Sequence, residues 1–159
     1  MNLRPFLDKL EKDGELIRVE KEINTKYELA NVLNTLGEKP TIFENIHGFD
    51  FPVFGGITSS RDIIAKALGT TKEGLLARTV GALRSPTPPI MVDDAPCQEV
   101  IVNNPDLDKL PFLTHLPGDG GRYASATLAI IKDPETGRNA CYHRLMQVGK
   151  NRCTARLFA

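Results

Sequence analysis

The sequence contains no run of five or six like charges, and its 20 basic and 20 acidic side chains cancel. Nucleic acid and anionic membrane surfaces are met by blocks of positive charge, so neither is expected as a partner. Nothing approaches the roughly 18 consecutive apolar residues of a spanning helix. The opening residues Met1-Asn2-Leu3-Arg4-Pro5-Phe6 lack the apolar core of a signal peptide. Cysteine is scarce: Cys97, Cys141 and Cys153 form an odd set without a C-x-x-C pair. That favours free thiols in a reducing compartment over a disulfide framework or a zinc site, and the expected location is the cytoplasm. His47, His115 and His143 lie far apart without metal-ligand spacing. Internal repeats and low-complexity tracts are also missing.

What is present has the composition of a folded domain, with 41% apolar residues in 159. Leu3, Phe6, Leu7 and Leu10 recur at helical spacing and stop at Gly14. Glu15 to Glu20 reads as a strand. Thr25-x-x-Glu28 has the form of a capping box for a helix carrying Leu29, Val32, Leu33 and Leu36, closed by Gly37. Thr41 to Ile46 and Pro52 to Ile57 are strand candidates that can pair across the turn His47-Gly48-Phe49-Asp50. Ser59 or Ser60 can cap a helix through Leu68, and Thr70-x-x-Glu73 a further one through Leu83. Both helices are expected to pack on the sheet. Ser85-Pro86-Thr87-Pro88-Pro89 is a stiff connector and a possible seam. Ile90 to Val92 and Gln98 to Val102 read as short strands. Helices dominate before the seam and strands after it, which makes the class α+β.

The chemistry concentrates between Tyr123 and Ala159. Ala124 to Lys132 and Ala140 to Val148 are strand patterns flanking Asp133-Pro134-Glu135-Thr136-Gly137-Arg138-Asn139, a hairpin loop. A further strand is expected from Arg152 to Phe158, with an apolar ending that reads as though more sheet should follow. Within Ala140 to Val148, alternation puts Tyr142, Arg144 and Met146 on one face and Cys141, His143 and Leu145 on the other. Cys141 and His143 therefore have no geometry for nucleophilic catalysis with a local base. Arg144 stands mid-strand among apolar and aromatic neighbours, where a guanidinium needs an anion. Two readings are open: a structural salt bridge, or a fork offered to a substrate carboxylate or a phosphate. Gly118-Asp119-Gly120-Gly121-Arg122-Tyr123 could approach a ligand closely, but without a helix N-terminus to follow it reads better as a plain surface loop.

The ordered set Phe43-Glu44-Asn45-Ile46-x-Gly48, Pro52-Val53, Asp106-Leu107-Asp108-x-Leu110-Pro111, Asp119-Gly120-Gly121, Asp133-Pro134-Glu135-Thr136-Gly137 and Asn139-x-x-x-x-Arg144 resembles the amino-terminal part of UbiD-like decarboxylases. The resemblance covers nearly the whole chain. It implies residues 1–104 as an amino-terminal α/β subdomain, with 85–89 as the earlier alternative for the seam. Residues 105–159 would be the first strands of a flavin-reductase-like split β-barrel, incomplete in this chain. It further implies prenylated FMN, a divalent metal such as Mn2+, and K+ as cofactors. The reaction implied is loss or addition of CO2 on an aromatic or α,β-unsaturated acid.

Carried over onto matching positions, Arg144 is implied to be catalytic, part of a Glu-Arg-Glu set at the reacting carboxylate, and Asn139 to ligate the metal. Tyr142, His143, Arg144, Arg156, Leu157 and Phe158 are implied to line the flavin. The offset of five puts Asn139 and Arg144 on opposite faces of a regular strand, so either Asn139 sits in the turn or a bulge intervenes. The family's other metal ligands and both glutamates have no counterpart here. The chain is therefore expected to act only with a carboxy-terminal half or companion subunit, and the full protein to be a homo-oligomer. The alternative is a stand-alone FMN-binding or regulatory module that docks onto another UbiD-like subunit.

Overall fold

The computed structural model describes residues 2–37 and 39–156. In chain order the elements are α1 (Leu3–Lys12), β1 (Ile17–Val19), α2 (Glu28–Leu36), β2 (Thr41–Phe43), β3 (Val53–Gly55), α3 (Arg61–Ala67), α4 (Leu75–Arg84), β4 (Tyr123–Asp133), β5 (Gly137–Gly149) and β6 (Arg152–Thr154). β1, β2 and β3 form one three-stranded sheet in that order, and β4, β5 and β6 form another. The architecture is α+β, and neither sheet closes into a barrel.

The chain divides into two compact units. One comprises Met1–Arg18, Gly37–Ile42 and Phe54–Asn103, the other Val19–Leu36, Phe43–Val53 and Asn104–Ala159. In the first, α1 buries Phe6 and Leu10 against Ile63 of α3, with Leu16 and Ala67 around them. Ser60 caps α3 by accepting from the Ile63 amide at 3.2 Å. Lys66 ties α3 to the turn after α1 through Glu15 at 2.6 Å and Asp13 at 3.1 Å. Gly56 has a left-handed backbone (φ 74°), and a Cβ there would run into the Lys39 carbonyl group.

Three expectations fail in this unit. The last helix begins at Leu75, because Thr71 accepts the Gly74 amide in a preceding turn instead of Thr70 capping a helix. Nor does α4 pack on a sheet: it buries no side chain among the described residues, and Leu76 and Leu83 are exposed. The strands expected at 90–92 and 98–102 are absent. Pro96–Gln98 is a single 3-10 turn, and Ile90, Met91, Val100 and Ile101 face solvent. A β-branched run without a neighbouring strand has no ladder to join, so propensity alone does not make it a strand.

In the second unit, Ile23, Leu29, Phe43 and Ile46 form the buried core, with Val32, Leu33, Phe49, Val53 and Leu113 packed against it. The capping box expected at Thr25 is displaced. The Glu28 carboxylate accepts the Asn24 amide at 2.9 Å, and the Asn24 side chain accepts the Lys26 amide at 2.8 Å. Thr25 is drawn elsewhere, its carbonyl accepting from Thr114 at 3.2 Å, while the Tyr27 amide donates to the Thr114 carbonyl at 2.8 Å. Tyr27 takes a positive φ of 69° to enter α2. The next residue along this bridge, Leu113, exchanges backbone hydrogen bonds with Tyr123 at 2.8 and 3.3 Å. The start of β4 is thereby fastened to the core.

Candidate functional site

The hairpin of β4 and β5 is built by its turn. The Asp133 side chain accepts the amides of Thr136 at 2.7 Å and Glu135 at 2.9 Å, and the Thr136 hydroxyl at 2.9 Å. Gly137 supplies the left-handed residue (φ 88°) that closes the loop opposite Asp133. Asn139 is in the strand, paired with Ile131, and not in the turn.

The register runs regularly from Asp133↔Gly137 to Thr127↔His143 and resumes at Ala124↔Leu145. Ser125 and Ala126 of β4 therefore stand opposite Arg144 alone: the bulge is in β4, and β5 keeps its alternation. Tyr142, Arg144 and Met146 share one face. Tyr123 joins it as the partner of Met146 on one side, as Thr154 of β6 does on the other. The same alternation places Asn139 on the opposite face from Arg144.

A pocket of about 660 Å³ opens on the Arg144 face, lined by Tyr123, Tyr142, His143, Arg144, Met146, Thr154, Ala155 and Arg156. Alternation turns the His143 ring to the other face, so its contribution is main chain. The Arg144 guanidinium carbon lies 5.2 Å from the centroid of the Tyr123 ring, within cation–π range. Among the described residues Arg144 makes no ion pair within 4 Å. The structural salt bridge is thus not found among the described residues.

Beside the pocket, the Asp119 carboxylate accepts the backbone amides of His115 and Leu116, both at 2.9 Å. The Leu116 amide foremost, then that of His115 and the nearby charges of His115 and Arg144, hold its pKa below the ordinary carboxylate value. Gly120 and Gly121 let this loop lie on β5: a Cβ at Gly120 would stand 3.2 Å from the Met146 sulfur.

Of the residues expected at a flavin site, Tyr142, His143, Arg144 and Arg156 come together in the pocket. Asn139 does not line it, and Leu157 and Phe158 lie outside the described residues. Tyr123, Met146 and Thr154 were not expected there. Sequence alternation alone could have added Met146, whereas Tyr123 and Thr154 needed the strand register.

Among the described residues the lining has no carboxylate, two arginines and two tyrosines, and its volume falls in the ordinary range for small-molecule sites. Such a surface suits a flat, aromatic, anionic group. It does not suit a divalent metal. Among the described residues no three His, Cys, Asp or Glu side chains are gathered to hold one.

Comparison with known proteins supplies the family. The model of the 3-octaprenyl-4-hydroxybenzoate carboxy-lyase N-terminal domain matches residues 7–83, and that of the corresponding Rift-related domain matches residues 90–159. The chain belongs to the UbiD family. Among UbiD relatives, it is 35% identical to the anhydromevalonate phosphate decarboxylase of Methanothermobacter thermautotrophicus, covering 98% of this chain and 36% of that protein. It superposes with a TM-score of 0.92 and 35% identity on an evolved dimeric form of the UbiD-class enzyme HmfF from Pelotomaculum thermopropionicum in complex with prFMN. That match covers 98% of this chain and 38% of HmfF. Apo 3,4-dihydroxybenzoic acid decarboxylase from Klebsiella pneumoniae superposes with a TM-score of 0.89 at 26% identity, over 98% of this chain and 36% of that one. The chain thus spans about a third of the length of the UbiD proteins it matches.

Proposed function

We propose that this chain is the amino-terminal portion of a non-oxidative carboxy-lyase that removes or adds CO2 on an aromatic or α,β-unsaturated carboxylic acid through prenylated FMN. The observation that carries the reading is Arg144: a guanidinium on the pocket face, laid against Tyr123 and without an ion pair among the described residues. Residues 105–159 are proposed as the first strands of a split barrel around the cofactor.

When bound, prenylated FMN supplies the electron sink that loss of CO2 from an sp² carbon requires. The fork of Arg144 binds the substrate carboxylate by paired hydrogen bonds and fixes its orientation. Arg156 adds a second positive charge to the same pocket, and the rings of Tyr123 and Tyr142 give it aromatic walls. The main chain of His143, together with Leu157 and Phe158, is proposed to complete the flavin-lining segments. Among the described residues no carboxyl group lines the pocket, and a carboxyl proton donor is proposed to come from another part of the assembly.

Asn139 is proposed as one donor to a metal site on the other face of β5. The described residues alone do not build that site. The free Cys97, Cys141 and Cys153 support a reducing, cytoplasmic setting.

The test is Arg144→Lys in the full-length protein. Lysine keeps the charge and loses the planar fork. The variant is expected to melt at the wild-type temperature and carry its flavin, with turnover reduced by about a hundredfold. Turnover near wild type at full flavin occupancy would overturn the assignment.

A further inference from the structure

We propose that Tyr123 is a positioning residue for Arg144, its ring acting as the platform that aims the guanidinium into the pocket. The inference rests on the reading of Arg144 given above, and deepens it. Three observations converge on it.

Arg144 has no registered partner across the hairpin, because the bulge at Ser125 and Ala126 interrupts the ladder there. Opposite it stand Ser125 and Ala126, whose short side chains give a long, flexible one little to lean on. On its own face it lies against the ring of the diagonal neighbour Tyr123, partner of Met146 and 5.2 Å from the guanidinium carbon. Tyr123 is itself held from both sides. Its backbone exchanges two hydrogen bonds with Leu113, whose side chain packs against the buried core of Ile23, Leu29, Phe43 and Ile46. A line of rigid contacts therefore runs from the core to the guanidinium.

The interaction is the face of an aromatic ring with a planar cation, a contact that restrains the plane of the fork without occupying its donors. The Asp119 carboxylate is engaged by two backbone amides and acts on Arg144 only through space.

The experiment uses the full-length protein with Tyr123→Phe and Tyr123→Leu. Phenylalanine keeps the ring face, and leucine keeps apolar bulk while removing it. Crystal structures are expected to show Arg144 over the ring in wild type and Tyr123→Phe, and turned to another rotamer in Tyr123→Leu. In solution, modification by phenylglyoxal, located by peptide mass spectrometry, is expected to be about threefold faster at Arg144 in Tyr123→Leu than in the other two. The exposed Arg138 and Arg152 serve as internal references whose rates stay constant. An unchanged Arg144 rotamer in Tyr123→Leu, with equal modification rates in all three proteins, overturns the proposal. If Tyr123→Leu fails to fold, a wild-type crystal structure with Arg144 away from the ring overturns it equally. Neither readout depends on turnover, so a failure of the catalytic reading of Arg144 is scored separately by Arg144→Lys.

Discussion

Two glycines with nearly the same left-handed backbone separate conformational strain from steric conflict. Gly14 (φ 72°) has open space where a Cβ would go, whereas at Gly56 (φ 74°) that atom would run into the Lys39 carbonyl group and lie 3.0 Å from its carbon. Gly14→Ala should therefore cost about 1 kcal/mol, the strain of the left-handed region alone. Gly56→Ala should cost about 3 kcal/mol or more, since main chain must also move. Urea midpoints of the two variants check the order, and equal midpoints would refute it. Gly14 was legible as a helix stop because its signal is local. The close approach at Gly56 was not, since it depends on a chain segment 17 positions away. The same contrast holds at the candidate site. Arg144 stood out because a charge in an apolar strand is conspicuous in one dimension, while Tyr123 became visible only through a register shifted by a bulge.

At the scale of elements, α2 and α4 have similar apolar spacing in sequence and opposite fates. Leu29 of α2 is fully buried in the core, and Leu76 of α4 keeps 75% of its surface exposed. Leu29→Ala should lower stability by about 2–5 kcal/mol and Leu76→Ala by less than about 0.5 kcal/mol, read from denaturant midpoints. An amphipathic pattern says which face of a helix is apolar but not whether anything covers it. The runs at 90–92 and 98–102 misled for the same reason. The turn of the β4–β5 hairpin is legible because its chemistry at Asp133 to Gly137 is contained in five consecutive positions, but β5 starts at Gly137 and takes in Arg138 and Asn139, which the sequence pattern assigns to the loop. The starts of α2 and α4 were read too early, since the Thr25 carbonyl accepts the Thr114 amide and the Thr71 hydroxyl accepts the Gly74 amide, one position beyond the Glu73 amide of a Thr70 box.

For the molecule as a whole, the pH dependence has two arms. Hydrogen bonds lower the pKa values of Glu11 (from Arg18), Asp13 (from Lys66, then Lys9), Asp119 (from the Leu116 amide) and Asp133 (from the Thr136 amide). Their stabilisation is complete above the ordinary values of 4.5 for Glu and 3.8 for Asp, and is lost as pH falls through the lowered ones. Hydrogen bonds to Glu15 and Asp62 raise Lys66 and Lys72 from 10.5, so their share is present below that value and lost as pH rises past the raised ones. Melting temperature should be level between these limits and fall on either side. The slopes should be shallow and flatten further in salt, because these pairs lie at the surface. A maximum near pH 4 would contradict this.

The composition of the pocket sets a second expectation at this scale. With no carboxylate among the described residues of its lining, the 159-residue polypeptide supplied with prenylated FMN and Mn2+ should release no CO2 from aromatic or α,β-unsaturated acids. Product formation by this polypeptide alone, followed by chromatography, would refute it.

The bulge in β4 also bears on how the hairpin tolerates changes in length. Deleting Ser125 or Ala126 would leave the pairings Tyr123↔Met146 and Thr127↔His143 as they are, and no side chain on either flank would change face. Most single-residue deletions in a strand invert everything beyond them. Here one would only straighten the strand and give Arg144 a neighbour directly across. That makes the position opposite the arginine a point where the gene can lose a codon and the sheet keep its register.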